Sequence, residues 1–262
     1  MGTIISWTNE TWNPTTGCTK VSAGCANCYA ERLSLRFGWS AKPWTRANES
    51  INMVLHPERL NKPKKIKKPS RIFVNSMSDL FHRGIPDDYI AQVFEVMNEC
   101  PQHVFQVLTK RPERVEHWDG PWTKNIWMGT SIEDVRSLER LEPLRSSKAR
   151  IKFISFEPLV EDLGEFSLEG VDWAIVGGES GPGYRKMSHA WARNIQRVCE
   201  RDGVAFFFKQ SSAARTEMGI SLRHTDDSFH VWQQYPGNLA DPVPGEPHRY
   251  TFEDLGSMTQ PQ

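Results

Sequence analysis

Residues 71–108 read RIFVNSMSDLFHRGIPDDYIAQVFEVMNECPQHVFQVL. The stretch opens and closes with short apolar runs, Arg71–Asn75 and Val104–Leu108, which predict strands buried on both faces. Between these runs lies a series at the i, i+3, i+4, i+7 spacing of an amphipathic helix: Ile90, Val93, Phe94 and Met97. Strand, helix and strand in this order predict two parallel strands joined by a right-handed crossover.

The same alternation runs along most of the chain. Further strand-like runs are Thr3–Trp7, Ile126–Gly129, Ile151–Phe156, Asp172–Val176 and Val204–Phe208. We therefore expect an α/β fold, a complete or partial parallel (β/α) barrel of the TIM type, in one domain over residues 1–235. A doubly wound sheet remains an alternative, because strand order is not visible in a sequence. Residues 236–262 are rich in Pro and Gly and predict an irregular tail.

Two helix starts are also predicted. Ser131 with Asp134 resembles a capping box, and Ser188 is placed to cap a helix that ends at Gly203. Cys199, and Cys100 at the end of an earlier helix, are predicted core residues.

Composition excludes several classes of protein. The chain has 262 residues, 32 basic and 32 acidic, so it is not uniformly cationic. No apolar run approaches the roughly 18 residues that span a membrane, and the amino terminus has no secretory pattern. We therefore expect a cytoplasmic protein, in which thiols stay reduced.

Three of the five cysteines, Cys18, Cys25 and Cys28, lie within eleven residues on what we call the cysteine loop, residues 12–31. A structural zinc site normally needs four ligands, and a redox pair would use only the last two cysteines. A [4Fe–4S] cluster on three thiolates uses all three and leaves one iron open. An open iron can bind S-adenosylmethionine, whose reductive cleavage gives a 5′-deoxyadenosyl radical. The spacing Cys-x6-Cys-x2-Cys differs from the Cys-x3-Cys-x2-Cys of radical S-adenosylmethionine enzymes.

Several stretches resemble the phage-associated three-cysteine-motif proteins, a family of unknown function. They are WNPTTGCTKVSAGCANCYAE, FVNSMSDLFH, VLTKRPERV, GTSIE, SFEPL, VGGESGPGYRKM and FFFKQ. The resemblance runs from about Trp7 to Gln210 and implies a radical-enzyme-like barrel with a cluster on Cys18, Cys25 and Cys28. It implies no substrate, and Ser211-Ser212 replaces the usual Trp-Gly of the family.

Polar residues follow most predicted strands, where the catalytic loops of a (β/α) barrel lie. Four are predicted catalytic residues, namely Asp79, Glu157, Glu179 and Lys209, and Arg111 is a weaker member of the group. The predicted cofactor-binding residues are Tyr29, Asn75, Ser76, Thr130, Ser131, Gly177 and Gly178. Each could instead be a helix cap or a turn residue.

The expected activity is that of a radical S-adenosylmethionine-type enzyme that modifies an unknown substrate and needs an electron donor. A basic run at Lys62–Arg71 adds a second interpretation, contact with nucleic acid or a phosphorylated substrate. The alternative is a non-catalytic nucleic-acid-binding protein that the metal or cluster stabilises. A zinc hydrolase is disfavoured, because the cysteine motif brings no His or carboxylate ligand.

Overall fold

The computed structural model describes residues 3–215 and 233–236. Of the predicted tail, only Pro236 lies within the described residues. The strands are β1 Glu10–Trp12, β2 Thr15–Thr16, β3 Val54–Leu55, β4 Arg71–Val74, β5 Val104–Thr109, β6 Ile126–Ser131, β7 Ile151–Phe156, β8 Trp173–Gly177 and β9 Ala205–Gln210. The α-helices are α1 Tyr29–Arg36, α2 Glu49–Asn52, α3 Asp87–Asn98, α4 Pro112–Glu116, α5 Leu141–Ser146 and α6 His189–Asp202.

Seven strands form one parallel sheet in the order β1-β4-β5-β6-β7-β8-β9. Strands that are sequential, parallel and curled form an incomplete (β/α) barrel, as the sequence predicts. The sheet is a half-barrel, because β1 and β9 are its edges in the described residues. The doubly wound alternative is wrong, since that fold reverses strand order within the sheet. The short strands β2 and β3 form a separate antiparallel pair.

The two faces of the sheet bury different side chains, because successive residues of a strand point to opposite faces. One large core joins alternate strand residues to α3 and α6, including Val74, Val107 and Cys199. The opposite, concave face carries a smaller cluster that includes Phe73 and Trp173. Cys100 and Cys199 are 2% and 0% exposed, which confirms the prediction that both are core residues.

The first strand does not lie at Thr3–Trp7 as predicted, but at Glu10–Trp12. Residues 5–8 instead form a turn in which the Thr8 amide donates to the carbonyl of Ile5. Trp7 is buried because it packs on the concave face, with its ring centroid 4.7 Å from that of Phe73. The apolar side chain of Trp7 therefore fills part of the concave face of the half-barrel and does not belong to a strand.

The predicted helix starts have different outcomes. Ser188 caps α6 by accepting from the Ala190 amide, and Gly203 ends that helix with φ 71°. The capping box after β6 is shifted: Asp134 is the cap, its partner is Ser137, and Ser131 is the last residue of the strand. Ser131 continues the strand because it pairs with Ser155 of β7.

No described helix combines the length and the apolar content that crossing a membrane requires.

Candidate metal centre

The cysteine loop follows β1 and lies across the carboxyl ends of the parallel strands. Side chains and carbonyls that follow β4, β5, β6 and β8 each hold one part of the loop. Loop residues meet these strand ends in chain order at Asn13, Thr19, Ser22 and Asn27. Tyr29 then returns to the end of β4, so the loop follows the curled sheet across and back.

After β4, Ser76 receives the end of the loop. The Tyr29 hydroxyl donates to the Ser76 carbonyl at 2.6 Å, and the side chain of Asn13 bonds the Ser76 hydroxyl at 3.1 Å. The preceding residue, Asn75, has φ 63°, a left-handed conformation that Asn tolerates better than most residues. The side-chain Nδ2 of Asn75 donates to Thr15 Oγ1 at 2.7 Å, while its Oδ1 is buried and accepts no hydrogen bond from the described residues.

After β5, Arg111 connects Asp79 to the first cysteine. Its guanidinium donates to Asp79 Oδ2 at 2.7 Å, lies 3.6 Å from Cys18 Sγ, and donates to the Thr19 carbonyl at 2.9 Å. Burial would raise the pKa of Asp79, but the Arg111 charge and a hydrogen bond from Thr109 hold that pKa below its ordinary value. The carboxylate is therefore the ionised partner of a buried cation.

His82 also bonds the loop at Thr19. It is fully buried, and its Nδ1 accepts from the Gly84 amide at 3.0 Å, which leaves Nε2 to donate to Thr19 Oγ1 at 2.8 Å. Burial and the nearby Arg111 charge lower the pKa of His82 to about 4. His82 is thus a neutral hydrogen-bond bridge at neutral pH.

After β6, Glu133 holds the middle of the loop. This carboxylate is fully buried and binds Lys110 Nζ at 2.8 Å, Arg140 Nη1 at 2.7 Å and the Ser22 hydroxyl. Burial opposes its ionisation, but the two cations hold the pKa of Glu133 below its usual range. A Cβ on Gly24 would lie 2.5 Å from Glu133 Oε1, so only glycine lets the loop pass this carboxylate.

After β8, Glu179 holds the Cys25–Cys28 turn. Its carboxylate accepts from Asn27 Nδ2 at 2.8 Å and from Arg185 Nη2 at 2.6 Å. Burial would raise the pKa of Glu179, but the hydrogen bonds from Arg185 and Asn27 lower it. Arg32 adds a further link by donating to the Ser180 carbonyl at 2.9 Å.

The remaining predicted residues contact groups outside the loop. Lys209 pairs with Glu157 at 3.1 Å, and Glu157 accepts from the Ser155 hydroxyl at 3.2 Å. Thr130 is fully buried and donates to the Thr109 carbonyl at 2.9 Å. Gly177 lies against Glu157 and Gly178 against the backbone of residues 211–212, so a side chain would collide at either glycine.

The basic run does not join this site. Arg71 begins β4, so the run leads into the amino end of that strand, whereas the cysteine loop lies at the carboxyl ends. Lys64 is paired with Glu99, and Lys62 donates to the Thr11 carbonyl at 2.7 Å.

Four residues at these attachments are not predicted as site residues: Asn27 of the loop itself, and Glu133, Arg185 and His82 outside it. Glu133 belongs to the GTSIE stretch and follows a buried strand by two residues, which is the one local signal that could have marked it. Asn27 lies between two cysteines, but its partner is 152 residues away.

The three thiols are free and partly buried. They also lie close enough to interact, since the charge of Cys25 raises the pKa of both Cys18 and Cys28. Burial raises the pKa of Cys18 to about 12 against the opposing charge of Arg111, and burial also raises the pKa of Cys28. Among the described residues, no group of three or more His, Cys, Asp or Glu side chains is arranged around a metal position. The three thiols are therefore suitable ligands for a soft metal or an iron–sulfur cluster by their chemistry. To bind one, their side chains must turn toward a shared centre.

No curated protein sequence matches this chain. Among solved structures, it is similar to spore photoproduct lyase complexed with dinucleoside spore photoproduct, at 14% sequence identity and a TM-score of 0.39. That similarity covers 72% of this chain and 60% of the other, so the chain spans less than two thirds of that protein's length. A family profile matches residues 2–239, which is most of the sequence. This match does not show the phage association that the resemblance implies. Because the match extends over most of the sequence, the chain belongs to the family described as protein of unknown function (DUF5131).

Proposed function

We propose that this chain is a radical S-adenosylmethionine-type iron–sulfur enzyme in which Cys18, Cys25 and Cys28 hold a [4Fe–4S] cluster. The observation that carries the proposal is the attachment of one three-thiol loop to four strand ends at the carboxyl edge of a half-barrel. Catalytic groups of (β/α) barrels collect at this edge. When bound, such a cluster supplies the electron that cleaves the sulfonium bond of S-adenosylmethionine.

Two cations near the loop favour the thiolate forms that ligation needs. A thiol must lose its proton to bind a metal, and burial opposes that loss at Cys18, as do the charges of Asp79 and Cys25. The Arg111 guanidinium, 3.6 Å from Cys18 Sγ, offsets the negative charge of the thiolate. The Lys110 charge acts on Cys28 in the same direction.

Other residues supply contacts for the cofactor and substrate. The buried Asn75 Oδ1 has no donor among the described residues, and a bound ligand can satisfy such an acceptor. Glu157 and Lys209 form a pair that is partly open to solvent, with each side chain 16% exposed. In the proposal they bind the polar part of the substrate, while Asp79 and Glu179 act as positioning residues through Arg111 and Asn27.

The test is anaerobic reconstitution with iron and sulfide, followed by metal analysis and EPR of the reduced protein. We expect about four irons per chain and a change in the cluster spectrum when S-adenosylmethionine is added. Replacing Cys18, Cys25 or Cys28 by Ala should abolish the iron, whereas Cys100→Ala and Cys199→Ala should retain it. Zinc or two-iron protein after careful reconstitution, or iron that survives the Cys25→Ala change, would overturn the proposal.

A further inference from the structure

A second surface next to the cysteine loop has an unusual charge. Residues 32–48 contain four basic side chains and no acidic one, in a chain whose formal net charge is zero. The same segment exposes two large aromatic side chains, Phe37 at 55% and Trp39 at 61%. Exposed aromatic rings within a cationic segment are typical of a binding surface.

The backbone holds these rings outward. α1 ends at Arg36, and Gly38 turns the chain with φ 70°. The backbone amide of Trp39 then donates to the Ser34 carbonyl at 2.8 Å, which fixes the backbone from which the indole projects. Trp44 behaves differently, since it is 3% exposed and its Nε1 donates to Ser40 Oγ at 2.9 Å. The segment thus buries one tryptophan in a satisfied site and presents the other to solvent.

The exposed groups form what we call the aromatic platform: Arg36, Phe37, Trp39 and Lys42. The rings of Phe37 and Trp39 lie 5.2 Å apart with an interplanar angle of 31°, and the Arg36 guanidinium is 5.5 Å from the centre of the Phe37 ring. Rings of this kind stack on unpaired bases, and the flanking cations complement the phosphate backbone.

We propose that the aromatic platform binds single-stranded nucleic acid. The exposed rings favour unpaired bases over a duplex, in which the base faces are covered. They also favour nucleic acid over an acidic protein, which would need the cations but not the rings. α1 follows Cys28 directly, so Arg36 lies about 12 Å along the helix from the last cysteine. A strand on the platform can therefore extend to the cysteine loop.

The proposal places nucleic-acid contact on a surface other than Lys62–Arg71. That run has cations, but an acidic neighbour already pairs with Lys64, and Arg71 lies over the ring of Tyr235 at 4.5 Å. The inference does not depend on a bound cluster, so it can fail while the proposed enzymatic function stands.

The test is fluorescence anisotropy of a labelled oligothymidylate about 16 nucleotides long with the full chain. We expect salt-sensitive binding that is stronger than binding to a duplex of the same length. Trp39→Ala should weaken it about tenfold, equivalent to about 1.4 kcal/mol. The pair Arg36→Glu and Lys42→Glu should weaken it at least as much. Circular dichroism should show unchanged folding, because these side chains are exposed.

Two matched controls make the test decisive. Ile51→Ala removes an apolar side chain that is 54% exposed outside the platform and should leave binding unchanged. Lys67→Glu with Lys68→Glu makes the same charge change in the basic run and should have a smaller effect. Equal binding by wild type and Trp39→Ala, stronger binding to the duplex, or a larger loss in the Lys67 and Lys68 variant would overturn the proposal. So would binding to polyglutamate as tight as that to the oligonucleotide.

Discussion

The buried carboxylate of Glu133 offers the sharpest test of how the cysteine loop is held. The Glu133→Gln change keeps the shape of the side chain and removes its charge. Glu133 is fully buried, while its partners Lys110 and Arg140 are 21% and 10% exposed along their side chains. Removing one member of a buried ion pair costs about 3–5 kcal/mol, because the remaining charge loses its partner.

We expect the lower end of that range, about 3 kcal/mol, because Lys110 can partly turn to solvent. For a domain of this size, a loss of about 3 kcal/mol lowers Tm by about 6–12 °C. Urea unfolding followed by circular dichroism gives the free energy, and reaction of Cys25 with a thiol reagent gives a local readout. The reaction should become faster, because Ser22 and Gly24 rest against Glu133.

The matched control is Glu142→Gln. Glu142 also pairs with an arginine, Arg145, but its side chain is 75% exposed, so its loss should cost less than about 0.5 kcal/mol. If Glu133→Gln costs no more than this control, the carboxylate does not hold the loop and the reasoning is wrong.

Two further predictions concern the same loop. Gly24→Ala should lower stability by about 1–3 kcal/mol, since the new Cβ would lie 2.5 Å from Glu133 Oε1. The penalty should shrink in a Glu133→Ala background, and a double-mutant cycle with no coupling would contradict this contact. His82 has its pKa lowered from 6.5 to about 4, so the unfolded chain binds the proton first and stability falls as the pH drops from 6.5 to 4. His82→Gln should remove a slope of up to about 1.4 kcal/mol per pH unit in that range, and parallel stability curves for the two proteins would refute it.

Much of the fold could be predicted because it depends on local pattern. The predicted runs between Arg71 and Phe208 become six strands of one parallel sheet, with bounds within about two residues of those predicted. The failure at Trp7 has a clear cause, since a buried apolar side chain does not reveal whether its backbone pairs. Apolar character misleads in the opposite sense after Cys28, where Leu35 and Phe37 are 39% and 55% exposed.

The candidate site also has features that could be predicted from the sequence and features that could not. The cysteine spacing and the polar strand ends are local features, so Cys18, Cys25, Cys28 and the neighbourhood of the site were accessible to prediction. The partners of the loop were not, because Ser22 meets Glu133 across 111 residues and Asn27 meets Glu179 across 152. Glu179 was predicted as a catalytic residue, and only its contacts show a carboxylate bound by Asn27 and Arg185.

By itself, then, the sequence determined the alternation of strands and helices and the presence of three thiols on one loop, because periodicity and spacing act between near neighbours. The tertiary structure alone decided which charges meet and which rings are exposed. Parallel strands bring residues that are distant in sequence to one edge of the sheet. The cations that meet Glu133 and Asp79 at that edge keep both carboxylates ionised despite their burial, while Trp39 faces solvent.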